Sequence, residues 1–114
     1  MDTLDVTPFF LDLLTNIIHM EYSDLKETDG FKLLVDSIEN DWILSCTIDG
    51  IAYEFNDVSD LFNNTRQICQ HSAPVSEKYT YKILLDQAFY KIQSFIGHCE
   101  DADNLMASFY GMSV

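Results

Sequence analysis

Basic side chains are what this sequence has least of. Six Lys and Arg stand against 19 Asp and Glu in 114 residues, a formal net charge of −13 with His neutral. Such a chain repels polyanions, so no direct binding to nucleic acid or to an anionic membrane surface is expected. Glycine and proline are also scarce, at four and two. That excludes collagen-like and low-complexity chains, and leaves little material for a Gly-rich phosphate loop. No apolar run approaches the roughly 18 residues of a membrane span. The longest early run, Phe9 to Leu14, carries Asp12 and follows the acidic start Met-Asp-Thr-Leu-Asp. A secretory signal would need bases and an unbroken apolar core there. Cys46, Cys69 and Cys99 are an odd number at no framework spacing. The chain therefore reads as reduced and cytoplasmic, and without a secretory route the sequon Asn63-Asn64-Thr65 carries no weight.

Apolar material is plentiful. Hydrophobic residues make up 47% and aromatics 13%, enough for a packed core. The length predicts one acidic α+β domain over residues 1–114. Thr7-Pro8 reads as a hydroxyl N-cap followed by proline at the first helical position. The helix it opens carries Phe9, Phe10, Leu13, Leu14, Ile17 and Ile18 at helical spacing and frays near Tyr22. Asp49-Gly50 reads as a two-residue hairpin turn between Trp42–Ile48 and Ile51–Phe55. That turn fixes the register. Ile48 faces Ile51, Cys46 faces Tyr53 and Leu44 faces Phe55 on the core side, while Ser45, Thr47 and Glu54 face water.

Residues 31–38 fit two patterns. A strand would bury Phe31, Leu33 and Val35 and turn Asp36 outward. A helix would bury Phe31, Leu34, Val35 and Ile38. The strand is preferred, because a lone hairpin is marginal and wants a third partner. Asn56 or Asp57 can cap a helix from Val58 to Gln70, with Val58, Leu61, Phe62, Thr65 and Ile68 inward. A break at Ser72 to Pro74 precedes a longer helix, best defined from Ile83 to Cys99, whose stripe is Leu85, Ala88, Phe89, Ile92, Phe95, Ile96 and Cys99. Residues 79–83 alternate and fit either the start of that helix or an extra strand. Residues 103–110 read as a short closing helix. The predicted fold is α+β: an antiparallel three-stranded meander with helices packed on one face, in the order α-β-β-β-α-α.

The charge is unevenly spread. Residues 1–60 hold 14 acids and two bases, a net −12; residues 61–114 hold five acids and four bases, a net −1. Many of the first-half acids fall in predicted connections. The candidate partner-binding residues are Asp24, Glu27, Asp29, Asp36, Glu39, Asp41, Asp49, Glu54, Asp57 and Asp60. Carboxylates two residues apart on a strand lie about 6.6 Å apart. That approximates the phosphate spacing along one DNA strand, where duplex DNA carries a charge per about 1.7 Å of axis. Such a surface can occupy the nucleic-acid site of a basic protein and gain steered association. The competing reading is that the acids only keep a small protein soluble and monomeric.

Candidate chemistry is sparse. Cys69-Gln70-His71 and His98-Cys99 offer zinc-type ligands without a recognised spacing, and Cys99 falls on an apolar stripe. Asp101-Ala-Asp103-Asn104 starts like a calcium loop but lacks the glycine and the terminal glutamate. Ser23-Asp24-Leu25-Lys26 matches S-x-x-K, whose enzymes need further motifs. His19 sits where a helix end would favour it. No metal, no cofactor and no catalytic residue is assigned. Tyr79, Tyr81 and Tyr90 include at least one, Tyr90, off the main apolar stripe.

In size, acidity and α+β pattern, the whole chain resembles two classes of small bacterial or phage protein. These are DNA mimics and immunity proteins that neutralise nuclease toxins. The resemblance implies a non-enzymatic inhibitor whose partner is a basic DNA- or RNA-binding protein or a nuclease. The expected function is occlusion of that partner's nucleic-acid-binding surface, with toxin immunity as the alternative. A small enzyme or metal-binding protein is the alternative of another class, and metal analysis separates it.

Overall fold

The computed structural model describes residues 2–95. In chain order these form β1 (Thr3–Asp5), α1 (Phe10–His19), α2 (Tyr22–Leu25), α3 (Asp29–Glu39), β2 (Ile43–Ile48), β3 (Ile51–Phe55), α4 (Val58–Ile68) and α5 (Glu77–Phe95). The predicted stripe at Ile96 and Cys99 and the closing helix over 103–110 lie outside the described residues.

The hairpin follows the sequence-derived register. Ile48 pairs with Ile51, Cys46 with Tyr53 and Leu44 with Phe55. Asp49 and Gly50 take φ of +52° and +78°, the left-handed pair that a two-residue hairpin turn requires. Leu44, Cys46, Ile48 and Phe55 are buried, and Thr47 and Glu54 are exposed. Ile51, at the turn end of its strand, is 52% exposed.

The third strand is not where the sequence suggested. Residues 31–38 lie in the helix α3, and the hairpin's other partner is β1, which runs parallel to β2 with Thr3 opposite Ile43 and Asp5 opposite Ser45. The sheet order is β1-β2-β3. The fold is thus α+β with a mixed sheet rather than an antiparallel meander, in the order β-α-α-α-β-β-α-α. The need for a third strand was real, but a three-residue edge strand meets it. That leaves 31–38 free to follow its helical spacing. Phe31 and Leu34 are buried, and Leu33 is only half-buried.

Local chemistry explains the other departures. Thr7 does not cap α1; Phe9 holds that position without a side-chain cap. The Thr7 hydroxyl instead donates to Asp5 Oδ1 at 2.6 Å and accepts the Thr47 N–H at 2.8 Å. It therefore fastens the exit of β1 to β2. The polar stretch after α1 holds the short helix α2, because Leu25 is buried and Tyr22 meets Phe31 edge-on at 6.0 Å. A Cβ on Gly30 would come within 3.1 Å of the Phe9 ring, so glycine lets α3 approach that close. Residues 79–83 are helical, with Tyr81 buried inside α5.

The helices and one face of the sheet share one core. Phe10 of α1 is its hub, packed against Phe62 at 5.6 Å and Tyr81 at 5.7 Å, and Phe62 meets Phe89 at 6.1 Å. Such aromatic pairs add about 0.5–1.5 kcal/mol each beyond area burial. Leu85, Ala88, Phe89 and Ile92 carry the inner stripe of α5 as predicted, and Val58, Leu61, Phe62 and Thr65 that of α4.

Candidate functional site

α3 organises the acidic residues. Asp29, Lys32, Asp36 and Glu39 recur at i, i+3, i+7 and i+10, which places them within one arc of about 80° on a helix turning about 100° per residue. All four are exposed, opposite the buried Leu34 and Ser37. Lys32 is drawn to Glu27 at 3.6 Å, so the one base on this face is partly neutralised. Asp24 on α2 and Asp41 just after α3 are exposed as well. Asp36 stands on a helix rather than a strand. Glu54 is the one candidate on a strand, and with Ala52 and Asn56 two residues to either side no pair of candidates has the strand spacing expected from the sequence.

The remaining candidates divide by role. Glu54 is on the open face of the sheet, in the row Asp5–Ser45–Glu54 set by the two strand registers. Asp57 and Asp60 have local structural work. Asp57 Oδ1 accepts the Asp60 N–H at 2.7 Å, and Asp60 Oδ2 accepts the Asn56 N–H at 3.0 Å. This reciprocal closure of the first turn of α4 resembles a capping box. Asp60 also accepts from Asn64. Asp49 occupies the hairpin tip, where its N–H donates to Glu77 Oε2 at 3.2 Å. Glu77, from the nearly neutral half, thus joins Asp49; a separation of 28 residues leaves no sequence signal for it.

Asp41 ends α3 in an unusual way. Its φ is +55°. The Trp42 N–H donates to the Ser37 carbonyl at 3.0 Å and the Asp41 N–H to the Ile38 carbonyl at 3.4 Å. That is the bonding of a Schellman termination, with aspartate where glycine is usual.

The described thiols are poor nucleophiles. Cys46 and Cys69 are free and buried. Burial pushes the Cys69 thiol up to about 11 and raises Cys46 as well. Tyr81, whose hydroxyl lies 3.8 Å from Cys46 Sγ, is likewise raised by burial. Tyr90 is 81% exposed. Among the described residues no three His, Cys, Asp or Glu side chains gather as a metal set. His98, Cys99 and the Asp101–Asn104 stretch lie outside them. Among them, too, no helix is long and apolar enough to cross a membrane.

No protein-family model, no curated protein and no solved structure matches the chain.

Proposed function

We propose that this chain is an acidic interaction protein that occludes the nucleic-acid-binding surface of a basic partner protein. The observation that supports it best is the exposed face of α3, where Asp29, Asp36 and Glu39 stand together beside Asp24 and Asp41. Carboxylates used only for solubility need no common face. These five have no hydrogen bond or ion pair from their side chains to the described residues, so they are available to a partner. The formal charge of −13 steers such a partner and sets the rate of encounter more than the final affinity.

The test combines Asp24→Asn, Asp29→Asn, Asp36→Asn, Glu39→Gln and Asp41→Asn in one variant. A control variant carries Glu77→Gln and Asp86→Asn. A basic nucleic-acid-binding protein captured by the parent chain supplies the partner. Each exposed pair contributes only about 0.2–1 kcal/mol, so the five changes are needed together. The expected result is slower association and a flatter salt dependence for the first variant, near-parent binding for the control, and competition with the partner's duplex DNA or RNA. A ternary complex of chain, partner and nucleic acid would refute occlusion.

A further inference from the structure

The nearly neutral half holds a groove between α4 and α5 whose chemistry is opposite to that of the α3 face. It is a cavity of about 370 Å³ lined by Asn63, Arg66, Gln67, Gln70, Lys82 and Asp86. Its volume lies at the small end of the roughly 300–1,000 Å³ range of ligand sites. Positions 63, 66, 67 and 70 recur at i, i+3, i+4 and i+7 along one face of α4 and its end. Positions 82 and 86 are one turn apart on α5. Two of the six bases in the chain therefore meet over one hollow.

Arg66 is held in place before any ligand arrives. Its Nε donates to Asp86 Oδ1 at 2.9 Å, and its guanidinium carbon lies 4.7 Å from the centre of the Phe89 ring. Asp86 occupies one edge of the guanidinium fork. The terminal Nη groups have no partner among the described residues, and neither has the Lys82 ammonium. Among the described residues, Lys82 thus stands without an ion pair beside an arginine that is braced on one side only. An ordered guanidinium loses less entropy when it takes a ligand.

We infer that this groove binds the phosphate of a small phosphomonoester. Asp86 already balances one of the two cations, yet two sets of N–H donors remain, which suits a multi-oxygen anion better than a lone carboxylate. The amides of Gln67 and Gln70 each offer a donor and an acceptor, which suits a hydroxyl-rich body. A nucleic-acid strand is a poor occupant, because the whole molecule repels a polyanion while a small dianion meets mainly the groove. The groove is independent of the acidic face and of its proposed role.

Calorimetric titration of the full chain with ribose 5-phosphate, inorganic phosphate and ribose tests it. At about 0.1 M salt the Debye length is about 10 Å, which screens the distant acids. Ribose 5-phosphate and phosphate should bind and ribose should not. Lys82→Gln, which breaks no hydrogen bond or ion pair among the described residues, should weaken ribose 5-phosphate about tenfold or more, as loss of a charged hydrogen bond does. Arg66→Lys keeps the charge but not the fork and should weaken it comparably, with melting temperatures recorded to confirm folding. Parent-like binding by both variants would overturn the inference. So would ribose binding as well as its phosphate, binding of phosphate but not ribose 5-phosphate, or no heat with ribose 5-phosphate up to about 10 mM, a level weaker than ordinary ligand affinities.

Discussion

At the scale of single residues, Gly50 and Asp41 share a backbone region and call for opposite changes. Gly50 has φ of +78° with open space around its would-be Cβ. A substitution there meets no neighbour and costs only the left-handed strain. Gly50→Val should therefore lower stability by about 1–2 kcal/mol, while Gly50→Asn, which tolerates that region, should cost much less. Asp41 has φ of +55° at the end of α3. Asp41→Gly should raise stability by up to about 1 kcal/mol while removing a charge from the candidate surface. Urea denaturation read by circular dichroism measures both, with Glu54→Gln on the open sheet face as a near-neutral control. A loss of stability on Asp41→Gly would show that the carboxylate supports the turn.

At the scale of elements, caps and turns were legible where their chemistry is local. Asp49-Gly50 specified the hairpin and its whole register, and of the two expected caps Asn56 and Asp57 it is Asp57 that starts α4. Asp57→Ala should lower the unfolding free energy by about 1 kcal/mol, the usual cost of an N-cap, and Asp57→Asn by far less. Equal losses in the two variants would mean that charge, not the hydrogen bond, closes that turn. Elements that depend on distant chain were not legible. Thr3–Asp5 has too few residues to show a pattern, and its status as a strand is conferred by Ile43–Ser45. Thr7 matches an N-cap in sequence, but its hydroxyl donates to Asp5 and accepts from Thr47, and that second partner lies 40 residues away. For 31–38 both periods fit, and what decides between them is which distant segment completes the sheet. The acids of α3 could be named from sequence. Their common face could not, because the strand reading over 31–38 put only Asp36 on the element and left Asp29 and Glu39 in the connections on either side of it.

At the scale of the whole molecule, the net charge is a stability term. Repulsion within a net −12 over residues 1–60 should be relieved as the Debye length falls from about 30 Å at 0.01 M salt to about 8 Å at 0.15 M. The melting temperature should rise over that range. The five-fold neutralised variant should start higher at low salt and respond less. A flat profile for the parent chain would mean that its acids are too dispersed to repel one another.

The two edges of the sheet are not equivalent. Ile48 and Ile51 close a turn of two residues, whereas Thr3 reaches Ile43 only after the chain has passed through three helices. Each doubling of loop length costs about 0.6 kcal/mol of closure entropy, so the β1 edge starts at a disadvantage of roughly 2 kcal/mol. Its ladder is also only three residues long. The sheet should then peel from one side, with β1 detaching while the hairpin stays zipped. Amide hydrogens would report this directly. Those of Val6 and Ile43, which bond across the β1–β2 seam, should exchange with solvent deuterons well before the hydrogen-bonded amides of the hairpin.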